Sequence, residues 1–494
     1  MHSCGKANLR TSPPVRRECR HPGPAGETPM STSDIDSIIA GLNYDPAQVL
    51  SVVPDGTTTT QPDRSRVPGS NAVIIATTRR HTLQKNLSEV AILSPSAVAF
   101  PGALLRADRA LMDGTPTPIA LPRAKAVLTI DLPGLANPST SIEPSESAVT
   151  AFLNDRLEAW NRLPQSQGYR NANRTFLNVT TAYSKQQVAL DLGFAASWAS
   201  GNASAQLEVS SSSEKSVVVC YYKQVFYTVS MDTPASPGAV FAPDLPMDRV
   251  RGAILADHPP AYVRSVDYGR ILLVRMETTT TDTSVNLQGA FKQATQGGVT
   301  VSGDLKAKYD AILKNANFTV VAIGGGTATT TEVFNGAAQG DLKGLQTYFA
   351  AATYSRDNPG LPIAYTVAFL KDNAFAKMGF TTDYTETEYV RYPNGFIRFH
   401  HSGAYVAKFH ATWQEPTGTG QTIPRAWESG KQTAGYDQTV NIPGDAQNLR
   451  LRAEAATGLV WNPWGEIMDI HLDGPSNKTY RVTGTTLNRH WDNG

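Results

Sequence analysis

The stretch Gln187–Ser211, QVALDLGFAASWASGNASAQLEVSS, carries apolar side chains at every second position. Val188, Leu190, Leu192, Phe194, Ala196 and Trp198 take the even positions, with Ala189, Asp191, Gly193, Ala195, Ser197 and Ala199 between them. Gly201-Asn202 supplies a turn. The apolar phase then moves to odd positions, Ala203, Ala205, Leu207 and Val209, alternating with Ser204, Gln206, Glu208 and Ser210. A period of two belongs to an extended strand whose side chains point to opposite faces. Each arm is close to the ~10 residues that a tilted strand needs to cross a bilayer, with one face suited to lipid and the other to water.

A second stretch, Ser284–Lys306, has the same design. Val285, Leu287 and Phe291 alternate with Ser284, Asn286, Gln288 and Lys292; Gly297-Gly298 makes the turn; Val299, Val301, Leu305 and Ala307 follow in phase. Gly289 and Gly303 interrupt its apolar face. Any half-buried strand of a soluble sheet alternates in this way, so either hairpin alone leaves both readings open. An open hairpin in lipid would leave its edge amides unpaired, so insertion requires many copies closing into one barrel.

Composition narrows the class. The chain has 494 residues, 40% hydrophobic and 18% charged, with a formal net charge of +1, which speaks against a nucleic-acid binder. Three cysteines give neither a disulfide framework nor a zinc spacing. Cys220, in Val217-Val218-Val219-Cys220, reads as a buried strand residue. No apolar run is long enough for a transmembrane helix. Residues 1–29, with Arg10, Arg16, Arg17 and Arg20 among several prolines, lack the apolar core of a signal peptide. We expect a disordered segment there, with Met30 as a second candidate start and an export route that stays open.

The text is rich in Thr, Ser, Gly and Val in short alternating runs, which predicts a β-rich chain. Helices are expected at Asp34–Leu42, with Ser33 as cap, at Ser147–Leu163 and at Asp341–Ala352; strands are expected at Ala124–Ile130 and Arg270–Glu277. From Tyr392 onward strands and turns predict a separate β-sandwich.

That last part holds Ala455-Ala456-Thr457-Gly458-Leu459-Val460-Trp461-Asn462-Pro463-Trp464-Gly465. Tryptophan suits a membrane interface, where its ring is apolar and its N–H stays wet; a sandwich-core tryptophan beside a loop is the plainer alternative. Gly484-Thr485-Thr486-Leu487 follows, where a hydroxyl beside an exposed leucine can meet a sterol's head and body.

Taken together, these segments make the chain resemble the cholesterol-dependent (thiol-activated) cytolysins from about Asp34 to its end. The resemblance runs in order through DIDSIIAGLNYDP (34–46), FPGALLRADRAL (100–111), LTIDLPGL (128–135), YSKQQ (183–187), YYKQVFYTVSMD (221–232), YGRILLVRMETT (268–279), AYTVAFLKDN (364–373), HHSGAYVAKFHATW (400–413), AATGLVWNPWG (455–465) and GTTL (484–487). It implies an α+β, β-rich, elongated multidomain pore-forming toxin fold of the MACPF/CDC type, a sheet flanked by helical bundles plus a C-terminal β-sandwich. It divides the chain into an N-terminal extension (1–33), mainly domain 1 with part of a thin domain 2 (34–178), mainly domain 3 with both hairpins (179–349), a return through domains 1 and 2 (350–391) and a membrane-binding sandwich (392–494). It also implies that the two alternating segments are helices in the soluble monomer and refold into hairpins after ring assembly.

Carried over by position, Thr486 and Leu487 fall on the family's sterol-recognition pair and Ala455–Gly465 on its undecapeptide membrane loop. Gly324 and Gly325 fall on a glycine pair that lets an edge strand swing away, and Phe318 on an aromatic that stacks across monomers. There are departures. The family's cysteine is Ala456 here, so thiol activation should be absent. The arginine that helps couple membrane binding to insertion is Gly465. Pro463 replaces a tryptophan and alters the loop's shape. An acid and base that pair between monomers fall on Val179 and Gly336, and the partner of Phe318 falls within Phe176-Leu177-Asn178-Val179.

The expectation is a cytolysin that binds cholesterol-containing membranes, assembles into a large homo-oligomeric ring and inserts a β-barrel. It would be an extracellular, hemolytic virulence factor that ends in the target-cell membrane. The alternative is a non-lytic sterol- or receptor-binding relative stalled before insertion. A protein receptor is left open; no cofactor, metal or nucleic-acid partner is expected. The chain has no HExxH, GxSxG or P-loop, so no enzyme is expected, and His400-His401 is read as structural at the opening of a strand.

Overall fold

The computed structural model describes residues 31–93, 98–163, 174–194, 212, 215–243, 245–279, 286–296 (the last four as backbone), 302–324, 354–356 and 358–494. The expectations for residues 1–30, Gly201-Asn202, Gly297-Gly298 and Asp341–Ala352 lie outside the described residues.

A nine-stranded sheet forms the main body. Its strands are β4 (Glu89–Ala91), β5 (Leu104–Arg106), β6 (Ala126–Ile130), β7 (Ser139–Ile142), β8 (Arg174–Thr181), β9 (Ser216–Met231), β10 (Pro260–Thr278), β11 (Asn317–Ile323) and β12 (Leu361–Phe369). The two long strands β9 and β10 pair antiparallel from Ser230↔Ser265 to Ser216↔Thr278. Beyond Gly269 they are flanked by β8 on the β9 side and β11 on the β10 side, all antiparallel. Gly269 sits at a register shift where its backbone lies against Gln224, too close for any Cβ.

Both faces of this part are apolar, which fits the near-continuous run Val217-Val218-Val219-Cys220-Tyr221-Tyr222. Val217, Val219 and Tyr221 of β9, with Ile271 and Leu273 of β10, face one way. Val218, Cys220 and Tyr222, with Leu272, Val274 and Met276, face the other. Cys220 is buried as expected, and burial pushes its thiol pKa well up. Toward the other end of the sheet, helices α1 (Thr32–Ala40) and α2 (Glu146–Asn161) pack into a separate apolar core around Leu105, Leu128, Phe152 and Tyr262. The cap of α1 is Ser31, in a capping box with Asp34, rather than Ser33.

A thin ribbon leads away from the body. β3 (Ala72–Leu87) and β13 (Met378–Pro393) pair along their whole length, with β1 (Gly56–Thr59) and β2 (Asp63–Pro68) alongside β3. At ~3.4 Å per residue these 16-residue strands span about 50 Å.

The chain then builds two four-stranded sheets, β17-β14-β20-β21 and β16-β15-β18-β19. The strands are β14 (Gly395–His401), β15 (Ala407–Pro416), β16 (Thr422–Glu428), β17 (Asp437–Ile442), β18 (Gln447–Ala456), β19 (Trp464–Leu472), β20 (Asn477–Gly484) and β21 (Arg489–Asn493). Their inner faces meet through Ile397, Phe399, Phe409, Leu449, Leu451, Tyr480 and Val482, so this is the expected sandwich. His400-His401 closes β14 instead of opening a strand. His401 is buried, its Nε2 donating to the Tyr405 carbonyl (2.8 Å) and its Nδ1 accepting from Gly403 N–H (3.2 Å).

The ribbon meets one end of the sandwich through Arg66. Its Nε and Nη2 donate to Asp445 at 2.6 and 2.8 Å, and its Nη1 lies 2.7 Å from Glu415. Arg66 and Asp445 side chains are only 10% and 5% exposed, so removing the cation strands the buried Asp445 carboxylate. Arg66→Ala should lower stability by about 3 kcal/mol, read as an earlier urea transition of the sandwich tryptophan fluorescence, with Arg66→Lys between the two.

Candidate functional site

Two regions hold the residues singled out in the sequence. The first lies on the sheet. Tyr183 to Phe194 is not a strand here: Lys185–Leu192 forms helix α3. The local reason is capping. The Ser184 hydroxyl accepts from Gln187 N–H while the Gln187 side chain accepts from Ser184 N–H, and Gly193 closes the helix at φ +85°. Val188, Ala189 and Leu192 pack with Phe194 on the Val217–Val219 face of the sheet, and Leu190 is buried as well.

The ribbon holds α3 from its other side. Tyr183 Oη donates to Glu386 Oε1 (2.9 Å), and Glu386 Oε2 lies 2.8 Å from His81 Nε2. Burial, then Glu386, push the Tyr183 hydroxyl pKa up, which keeps it a donor. The Tyr384 ring stacks between Tyr183 and His81. Lys85 Nζ donates to the carbonyls of Leu190 and Asp191 at the helix's C-terminal end (3.1 and 3.3 Å).

On the opposite face lie α4 (Leu287–Gln296) and α5 (Gly303–Lys314). Phe291 is fully buried against Val218, Cys220 and Leu272, with Leu287 and Leu313 beside it. Leu305 is half-buried. A Cβ at Gly289 would fall 2.8 Å from the Tyr309 hydroxyl, so this glycine lets α4 and α5 approach. Trp198, Leu207, Val209, Val285, Val299 and Val301 lie outside the described residues, as do Gly325 and Gly336.

At the sheet's edges, Phe318 of β11 is half-buried and shares the α4–α5 face with Leu177 and Val179 of β8. Phe176 points to the other face, 53% exposed beneath the Lys223 ammonium. Val179 is buried, with no charge to offer a neighbour. Gly324 follows β11 at φ +75°, where an added Cβ would fall 2.6 Å from the Gly269 carbonyl oxygen.

The second region is the end of the sandwich away from the ribbon. Ala455 and Ala456 still belong to β18, with Ala455 fully buried, and Trp464 and Gly465 open β19. The loop proper is Thr457–Pro463. Thr457 N–H donates to the Pro463 carbonyl (3.0 Å), and its hydroxyl bonds to the Asn462 carbonyl and accepts from Leu459 N–H (3.1 Å). Gly458, at φ +80°, permits the tight turn. This closure leaves Leu459, Val460 and Trp461 at 43%, 92% and 82% exposure, so Trp461 is no core residue. Trp464 is half-buried, and Lys408 Nζ caps its ring at 4.0 Å.

Beside it, β20 and β21 are joined by a turn closed by Thr485 and Asn488, which bond to each other's carbonyls (2.9 and 3.1 Å). Leu487 is 99% exposed at its apex, with Thr486 half-buried beside it. Residues 402–406 join the two loops, since Ala404 N–H donates to Gly484 and Ala456 N–H to Val406 (both 2.8 Å). Sequence reasoning found the two loops but not this strap, nor the Tyr183–Glu386–His81 contacts. Among the described residues there is no cluster suited to a metal and no helix long and apolar enough to cross a membrane.

Comparison with known proteins bears on both regions. A profile of thiol-activated cytolysins matches residues 34–392, and one of the thiol-activated cytolysin β-sandwich domain matches 396–490. The chain is 32% identical to tetanolysin of Clostridium tetani over 471 residues, covering 92% of this chain and 87% of that protein. The crystal structure of listeriolysin O superposes with a TM-score of 0.78 at 28% identity, covering 95% and 98% of the two chains. That of a non-hemolytic pneumolysin from Streptococcus pneumoniae gives 0.78 at 27%, covering 94% and 99%.

The tyrosine contact is open to a direct check. Tyr183→Phe removes one hydrogen bond to a carboxylate, worth about 1.5 kcal/mol. Hydrogen exchange of the α3 amides should quicken by about tenfold while that of the sandwich is unchanged.

Proposed function

The chain belongs to the thiol-activated cytolysin family, whose members are pore-forming toxins and not enzymes, and from that premise we propose that it binds cholesterol-containing membranes, assembles into a ring and inserts two hairpins per copy into a shared barrel. The extracellular face of a target cell is its site of action.

The tip supplies first contact. Val460, Trp461 and Leu487 project with no packing partner to lose. Burying a large apolar side chain is worth about 1.5–3 kcal/mol, so three give modest, reversible attachment of one copy once the cost of immobilisation is subtracted. Many copies in a ring turn this into lasting attachment. Thr486, beside Leu487, is the polar group we assign to the sterol hydroxyl.

Assembly uses the sheet edges. β8 and β11 run in opposite directions within the sheet. Copies set side by side in one orientation therefore continue an antiparallel ladder without any copy turning over. Phe318 and Leu177 share a face, which makes Leu177, rather than Phe176, the side chain suited to meet Phe318 of a neighbour. Release of the β11 edge is assigned to Gly324 and Gly325.

The observation that carries the reading is strand register. β8 and β9 are paired up to Thr181↔Val218. Extended in the same register, they would set Leu190 opposite Val209, Leu192 opposite Leu207 and Phe194 opposite Ala205, apolar facing apolar. β10 and β11 are paired from Ile271↔Ile323 to Glu277↔Asn317. Extended likewise, they would set Val285 opposite Tyr309, Leu287 opposite Ala307, Gly289 opposite Leu305 and Phe291 opposite Gly303, with the bend at Gly297. The glycines that interrupt the apolar face would thus each meet a large side chain across the strand. Helices α3, α4 and α5 store the same segments until a neighbour is present.

Dye release from lipid vesicles tests this. The full chain should release dye from cholesterol-containing vesicles and not from cholesterol-free ones. Binding without release would favour the stalled relative, and release indifferent to cholesterol would contradict the sterol assignment.

A further inference from the structure

Gly465 and Thr486 lie on different sheets, yet one side chain touches both. Arg489, the first residue of β21, donates from Nε to the Thr486 carbonyl at 2.9 Å. Its guanidinium also fills the space over Gly465: a Cβ added there would run into Arg489 Nη1, with Thr457 Cγ2 3.3 Å away. β21 and β19 are the end strands of opposite sheets and lie against each other, so the guanidinium sits where the two loops meet. It is half-buried and near Tyr405: burial raises the Tyr405 hydroxyl pKa, and the Arg489 charge partly offsets that rise. Tyr405 belongs to the strap and donates to the Thr483 carbonyl at 3.0 Å.

We propose that Arg489 is a positioning residue that ties the Thr457–Pro463 loop to the Thr485–Asn488 turn, so that Trp461, Val460 and Leu487 present one apolar surface instead of two independent ones. A guanidinium is suited to this task, because its planar fork bonds a carbonyl through one nitrogen while another reaches over the backbone at Gly465. The glycine at 465 is what makes room for it. Where the resemblance sets an arginine on β19, this chain brings the guanidinium from β21. The functional part of the proposal rests on reading the tip as the membrane-binding surface; the bridge itself does not.

The test uses the full chain as wild type, Arg489→Ala, and Arg489→Ala combined with Gly465→Arg, each checked by circular dichroism. In solution, hydrogen exchange should quicken about tenfold in Arg489→Ala at the amides of both loops, Thr457 and Leu459 as well as Thr485 and Asn488. The double variant should restore both, because an arginine from either strand can fill the same space. Quickening confined to the Thr485–Asn488 turn, or none, overturns the bridge. On cholesterol-containing vesicles the bound fraction of Arg489→Ala should fall about tenfold in affinity and recover in the double variant. Both loops loosened with binding unchanged overturns the positioning role. Should Arg489→Ala not fold, Arg489→Lys, which keeps the charge but loses the planar fork, must loosen both loops, and its failure to do so also overturns the bridge. If the wild type binds but releases no dye, the pore reading fails while the exchange result still decides the bridge.

Discussion

Strands β9 and β10 carry apolar side chains on both faces, and water has to be kept from both. The helices meet that demand: α3 covers the face of Val217, Val219 and Tyr221, and α4 with α5 covers the face of Val218, Cys220 and Tyr222. The helices depend on the sheet in turn. Leu192 and Phe291 are buried against it, and a short helix is marginal by itself. Much of the upper body follows from this mutual cover. The body's other core, around Leu105 and Tyr262, is a separate cluster.

The same segments satisfy two periods. In α3, Val188 and Leu192 face the sheet and Leu190 is buried as well, while Lys85 and Glu386 of the ribbon hold the helix from its other side, so residues two apart are all buried. In a strand, residues two apart share one face. A segment that fulfils both patterns needs little to choose between them, and the contacts of Tyr183, Glu386, His81 and Lys85 weight the choice toward the helix. Gly289 shows the same economy: it lets α4 meet α5, and in the proposed extended register it would face Leu305.

How much of this was legible depended on distance along the chain. The period of two in Gln187–Ser211 was plain, and the sandwich was plain from Tyr392 onward. The helical state of Lys185–Leu192 was written locally in Ser184, Gln187 and Gly193, a capping box and a left-handed terminus, but the stronger alternation masked it. Ser31 rather than Ser33 caps α1, because serines two apart carry the same local signal until the backbone is placed. Tyr183–Glu386, Arg66–Asp445 and Arg489 over Gly465 could not be read at all, since each joins residues that only the fold brings together. The exposure of Trp461 needed the loop closure by Thr457, which composition does not reveal.

In the proposed insertion, residues 188–194 change from helix α3 and its end to membrane strand. Single cysteines placed at each position from 188 to 194, in a chain whose own cysteines are replaced, would carry a polarity-sensitive dye. Spectra would be compared in solution and on cholesterol-containing vesicles. A strand predicts strict alternation on vesicles, with dyes at 188, 190, 192 and 194 in an apolar setting and those at 189, 191 and 193 in water. A helical periodicity on the vesicle, or spectra unchanged from solution, would contradict it.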